Sequence, residues 1–182
     1  MTIESLLKVV PPLAKPDDPF GGPWEAIEAD VFTPLPQDYK DFVRLYGSGN
    51  FMDLIAINVP KVRSPYVRFE SEIRVMKDAF FKDEEHPYPL WPTPGGLIVF
   101  GKTDFGDYLF WLPRGAPEDW SVVVWGRGLG TFEVFDCGLT DFLAGLVTGE
   151  ILPEEFPEDT LPCDFLFKPY SDWPERDNPA FD

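Results

Sequence analysis

His86 is the only histidine in the chain. It stands in Asp83-Glu84-Glu85-His86-Pro87-Tyr88-Pro89, a polar, proline-rich stretch that suits an exposed structural role better than general-base work. Ser5, Ser48, Ser64, Ser71, Ser121 and Ser171 lie in no nucleophile-elbow context, and Gly47-Ser48-Gly49 reads as a helix cap and turn. Asp104 and Asp107 flank Phe105-Gly106. Two carboxylates at that spacing can bind a hard cation or meet a basic partner, but in a tight connection turn-forming aspartates are the simplest reading. Gly126-Arg127-Gly128-Leu129-Gly130 has the glycines of a phosphate loop without the following helix, so it reads as a hairpin loop, and no EF-hand or dinucleotide fingerprint occurs elsewhere. Cys137 and Cys163 are far apart, form no metal-type spacing and sit in apolar company; two reduced, mostly buried thiols are expected. These residues predict no catalytic group, no cofactor and no metal, hence no enzyme.

The charge points to binding instead. With 32 Asp and Glu against 15 Lys and Arg, the formal net charge is -17. Such a field repels phosphate backbones and anionic membranes, and steers basic partners toward the protein. Excess acid also serves solubility alone. Trp91, Trp111, Trp120, Trp125 and Tyr108 cluster around a stretch of short strands, where alternation buries some and turns others outward. Exposed aromatics anchor protein interfaces. An outward aromatic patch rimmed by acid would give a basic partner an anchor and a guiding field, and the candidate partner-binding residues are Asp104, Asp107, Tyr108, Trp111, Glu118 and Asp119.

The elements that must hold these residues are legible from periodicity. Residues 2–10 predict a short helix, followed by a Pro-, Gly- and Asp-rich connector to Pro23. Trp24 and Ile27 share one face of a helical turn. Pro36 suits a first helical position, with Leu35, Tyr39, Phe42, Val43 and Tyr46 at helical spacing and Gly47 as a left-handed cap. Residues 51–59 read as one strand, and 66–81 as an amphipathic helix burying Phe69, Ile73, Met76, Ala79 and Phe80. Four strands follow at 97–101, 108–112, 121–125 and 132–135, joined as an antiparallel meander, then a helix at 140–148. Residues 150–182 carry ten acids against Lys168 and Arg176, yet also Phe156, Leu161, Phe165, Leu166, Phe167, Tyr170 and Trp173, so part of this tail is expected to pack on the domain. The N-terminus lacks a basic lead and a long apolar run; neither signal peptide nor membrane anchor is predicted, which implies a cytoplasmic protein.

Taken in order, Trp24-Glu25-Ala26-Ile27-Glu28, Leu35-Pro36-Gln37-Asp38-Tyr39-Lys40-Asp41-Phe42, Tyr46-Gly47-Ser48-Gly49, Gly95-Gly96-Leu97-Ile98-Val99-Phe100-Gly101, Thr103-Asp104-Phe105-Gly106-Asp107-Tyr108-Leu109-Phe110-Trp111 and Asp141-Phe142-Leu143 resemble the SMI1/KNR4 (SUKH) superfamily. The resemblance implies an α+β fold with a central, mostly antiparallel sheet flanked by helices. It frames residues 1–182 as one domain with a family core at 24–148, an N-terminal extension at 1–23 and an acidic, aromatic C-terminal extension at 149–182. Bacterial members are similar in being immunity proteins that bind and block a toxin domain delivered between neighbouring cells; fungal relatives regulate cell-wall synthesis. The resemblance thus implies a non-catalytic protein that neutralises a cognate, basic toxin, with an adaptor binding an endogenous partner as the alternative. It transfers no catalytic residue.

Overall fold

The computed structural model describes residues 2–79, 86–157 and 163–173. Phe80 and Phe81, expected at the end of the amphipathic helix, and Leu161 in the tail lie outside them. Five helices, α1 (Glu4–Val9), α2 (Glu25–Val31), α3 (Gln37–Leu45), α4 (Phe69–Ala79) and α5 (Leu139–Thr148), accompany seven strands. The strands are β1 (Gly49–Phe51), β2 (Ile55–Ile57), β3 (Ile98–Thr103), β4 (Tyr108–Leu112), β5 (Ser121–Trp125), β6 (Phe132–Phe135) and β7 (Phe167–Pro169). They form one sheet in the order β6-β5-β4-β3-β2-β1-β7. Every neighbouring pair is antiparallel. The fold is α+β, as the sequence predicts.

Paired residues of antiparallel strands share a face, so the register sorts the sheet. On one face, Phe135, Val122, Trp111 and Ile98 form a row. Helices α3 and α5 pack here, with Tyr39 edge-on to Trp111 and Phe142 against Phe135. The opposite face carries Phe132, Trp125, Tyr108, Lys102, Ala56, Asn50 and Lys168 in one continuous row. Helix α4 reaches that row through Glu72, whose carboxylate accepts from Lys102 Nζ at 3.0 Å.

Two local expectations are corrected. Residues 51–59 are not one strand: β1 and β2 form a hairpin joined by Met52, Asp53 and Leu54, of which Met52 and Asp53 have φ of 56° and 53°. Successive positive φ angles of that hand match strand twist. Asparagine or glycine usually marks them, and neither is present. Pro36 sits one position earlier than read, at the N-cap with ψ 140°, and its carbonyl accepts the first helical bond from Lys40 N at 3.2 Å. The fixed proline φ fits either place, so the ring alone does not choose. Gly47 does close α3 in a left-handed conformation, φ 70°. It also lies against the Asp17 backbone, where a Cβ would come within 2.1 Å of a carbonyl oxygen.

The N-terminus of α5 is held from a distance. Its own N-cap is Gly138, which has no side chain to offer. Buried Asp38, in the first turn of α3, supplies the acceptor: Thr140 N and Oγ1 donate to Asp38 Oδ2 at 3.1 and 3.3 Å, and Tyr39 N donates to Oδ1 at 2.7 Å. One carboxylate therefore serves two helix starts.

The tail closes the sheet. β7 pairs with β1, the Phe167 ring meets Phe42 and Tyr46 edge-on, and Tyr170 is buried. Without it, β1 would present a bare edge.

Candidate partner interface at the loop end of the sheet

Three connections meet at one end of the sheet. In the β3–β4 turn, Gly106 takes φ 94° and donates its N–H to Thr103 O at 3.1 Å. Asp107 is only 3% exposed, and its carboxylate is fully used: Thr103 Oγ1 donates to Oδ2 at 2.6 Å, and Arg127 N donates to Oδ1 at 3.0 Å. Asp107 thereby ties this turn to the β5–β6 loop. Asp104 ties it to the β1–β2 hairpin, because its N–H donates to Leu54 O at 3.0 Å and its Oδ2 accepts from Asn50 Nδ2 at 3.3 Å. Burial raises the Asp104 carboxyl above its ordinary value near 3.8; the Asn50 bond opposes the shift and neighbouring Asp53 adds to it.

The β5–β6 loop, 126–131, is held from the tail. Glu155 accepts from Gly128 N at 2.9 Å and Leu129 N at 2.6 Å, one on each oxygen. Gly126 and Gly128 are needed for that approach, since a Cβ on either would come within 2.4 to 2.6 Å of the Glu155 side chain. These bonds fix the loop and leave its apolar tip in water.

What the three connections display is apolar. On them Phe105 is 63% exposed and Leu129 68%; Leu152, outside the three connections and three residues before Glu155 in the segment that braces the β5–β6 loop, is 76% exposed. Around them Asp53, Asp104 and Glu154 are exposed, with Arg127 as the counter-charge. Large apolar side chains presented on hydrogen-bonded turns, with acid beside them, make an exposed apolar patch with a charged rim.

The six residues nominated from sequence do not gather. Asp104 and Tyr108 lie at the loop end. Tyr108 is half-buried on the row that α4 reaches, hydrogen-bonds Glu72, and its hydroxyl is pushed up to about 12 chiefly by burial. Asp107 sits there too, but its oxygens are spent inside. Trp111 is completely buried among Tyr39, Phe69, Phe100 and Trp120, so it cannot face a partner. The reason is register: from outward Tyr108, an odd step of three along β4 puts Trp111 on the helix-covered face. Glu118 and Asp119 are exposed but follow the far end of β4, roughly 13 Å or more from Tyr108 at strand rise. Sequence reasoning missed Phe105, Leu129, Leu152 and Glu155. Phe105 and Leu129 each stood at the tip of a glycine turn, which was the available signal.

The other groups with chemical potential are quiet. His86 is half-buried rather than exposed, its ring 5.9 Å from that of Phe132. Cys137 and Cys163 are free and half-buried. Burial, then Asp141, Asp136 and Asp38, push the Cys137 thiol up to about 11, which keeps it protonated at neutral pH. Among the described residues, no group of three or more His, Cys, Asp and Glu is placed to hold a metal ion, and no helix is long and apolar enough to cross a membrane.

A family model described as SMI1-KNR4 cell-wall matches residues 23–143, about two thirds of the chain. No curated protein and no solved structure matches it.

Proposed function

Because the chain belongs to the SMI1-KNR4 (SUKH) family, we propose that it is a non-catalytic cytoplasmic immunity protein that binds a cognate polymorphic toxin domain and neutralises it by occluding its active site. The observation that carries the reading is the loop end of the sheet, where Phe105 and Leu129 are exposed on turns that also carry exposed Asp53 and Asp104, with exposed Leu152 in the segment whose Glu155 braces the Leu129 loop. Apolar anchors in an acidic field suit a basic partner: burial of the side chains supplies affinity, and the net charge of -17 accelerates encounter. Domains that act on polyanions have basic clefts, and an acidic cap competes for the same site. Tyr108 borders this surface, while Glu118 and Asp119 would make secondary contacts at the opposite end. In this proposal residues 24–148 form the family core, and the extension beyond 148 contributes Leu152 and the Glu155 brace to the interface.

Co-expression with the cognate toxin domain tests it. Wild type should restore growth and co-purify with the toxin. The double variant Phe105→Ser/Leu129→Ser, both sites exposed, should fold normally and lose at least about tenfold in affinity. Toxicity unrelieved by wild type would sink the proposal. The alternative, an adaptor for a resident protein, predicts a growth defect on gene loss with no toxin present.

A further inference from the structure

Helix α2 ends on Phe32 in the left-handed region, φ 58°, a position that glycine or asparagine fills without strain. The ring is 78% exposed and stacks on Trp91, with centroids 6.0 Å apart and planes 26° from parallel. Trp91 is itself fixed, its indole N–H donating to Val31 O at 3.1 Å. A bulky aromatic therefore bears a backbone cost and a hydration cost together, which is the pattern of a residue kept for recognition. Beside the stack opens a cavity of about 370 Å³ lined by Phe32, Trp91, Pro92, Pro94, Pro113 and Trp120 among others, none of them charged. Trp120 is 2% exposed, and its indole N–H has no acceptor among the described residues. The rim is acidic. Gly115 lines the cavity, and a Cβ there would sit 3.5 Å from Asp119 Oδ2; exposed Glu118 adjoins it, with Arg114 the only cation in the 113–119 connector.

We propose that this groove docks an extended, proline-rich segment of another protein with a Lys or Arg flank. Prolyl rings pack on fixed aromatic faces, and a polyproline helix arrives already ordered, so little entropy is lost. Its backbone carbonyls stay in water on the outer side, while the basic flank meets Asp119 and Glu118. An acidic peptide is repelled by the same rim. The groove adjoins the start of β3, and Phe105 follows its end, roughly 17 Å away at strand rise; the proposal shares only Glu118 and Asp119 with the toxin-binding reading, rests on neither Phe105 nor Leu129, and survives that reading's failure.

The test titrates the full-length protein with three synthetic peptides, following tryptophan fluorescence: polyproline with Arg flanks, polyproline with Glu flanks, and a Gly-Ser chain with Arg flanks. Saturable binding is expected for the first and about tenfold weaker binding for the other two. Phe32→Gly should keep the native circular dichroism spectrum, since glycine accepts the left-handed backbone, and weaken the first peptide about tenfold; Phe32→Asn serves as the second variant. No saturable binding of the first peptide, equal binding of the Gly-Ser peptide, or unchanged affinity in both folded variants would overturn the proposal.

Discussion

Asp104 joins stability to the proposed interface within one side chain. It is exposed at that surface, yet its carboxyl is sheltered enough that it holds a proton more tightly in the folded state than in the unfolded chain. The sign follows: its contribution is present below the ordinary value near 3.8 and is lost as pH rises through the raised folded value. Asp104→Asn should therefore remove part of the fall in stability on that rise, measured as the difference in denaturant midpoint between variant and wild type from about pH 3 to about pH 7. Parallel curves would show that the carboxyl is no less hydrated in the fold than out of it. The acid at Asp104 was legible in the sequence. The contrast with Asp107, alike in type and three residues on, was not, because it depends on Arg127 N arriving from another loop.

The helices and the four-strand meander were legible from local pattern: apolar residues every three or four in α3 and α4, and short apolar runs bounded by glycine- or proline-containing turns in β3 to β6. The hairpin β1–β2 escaped, since Met52 and Asp53 carry its turn without glycine, and the uninterrupted apolar run from Leu54 to Ile57 hides the reversal. Long-range braces left no local trace at all. Asp38 is one: Asp38→Ala strips the acceptor from the starts of α3 and α5 and should cost about 2 kcal/mol, a fall in Tm of roughly 4–8 °C for a chain of this size. Glu155 is another. Glu155→Ala should speed amide exchange at Gly128 and Leu129, and Gly126→Ala should reproduce it by displacing the same carboxylate. Exchange unchanged in both variants would mean the loop holds itself.

For the molecule as a whole, the sheet, its helix-covered face and the tail strand β7 form the scaffold, and both proposed recognition surfaces sit at the ends of that sheet. Composition made the scaffold's size and the field's sign legible; it could not say which aromatics face outward, because that depends on register across β4 and on Phe32 closing α2 in a left-handed turn. The measurement that bears most directly on the immunity reading is capture of the tagged full-length protein from its native cells at low and at high salt, with mass spectrometry of what stays bound, alongside the Phe105→Ser/Leu129→Ser variant. The account predicts one toxin-like domain, recovered in stoichiometric amount by wild type, more weakly at high salt, and lost from the variant. Recovery of resident proteins alone, of nothing, or of the same toxin by the variant would contradict it.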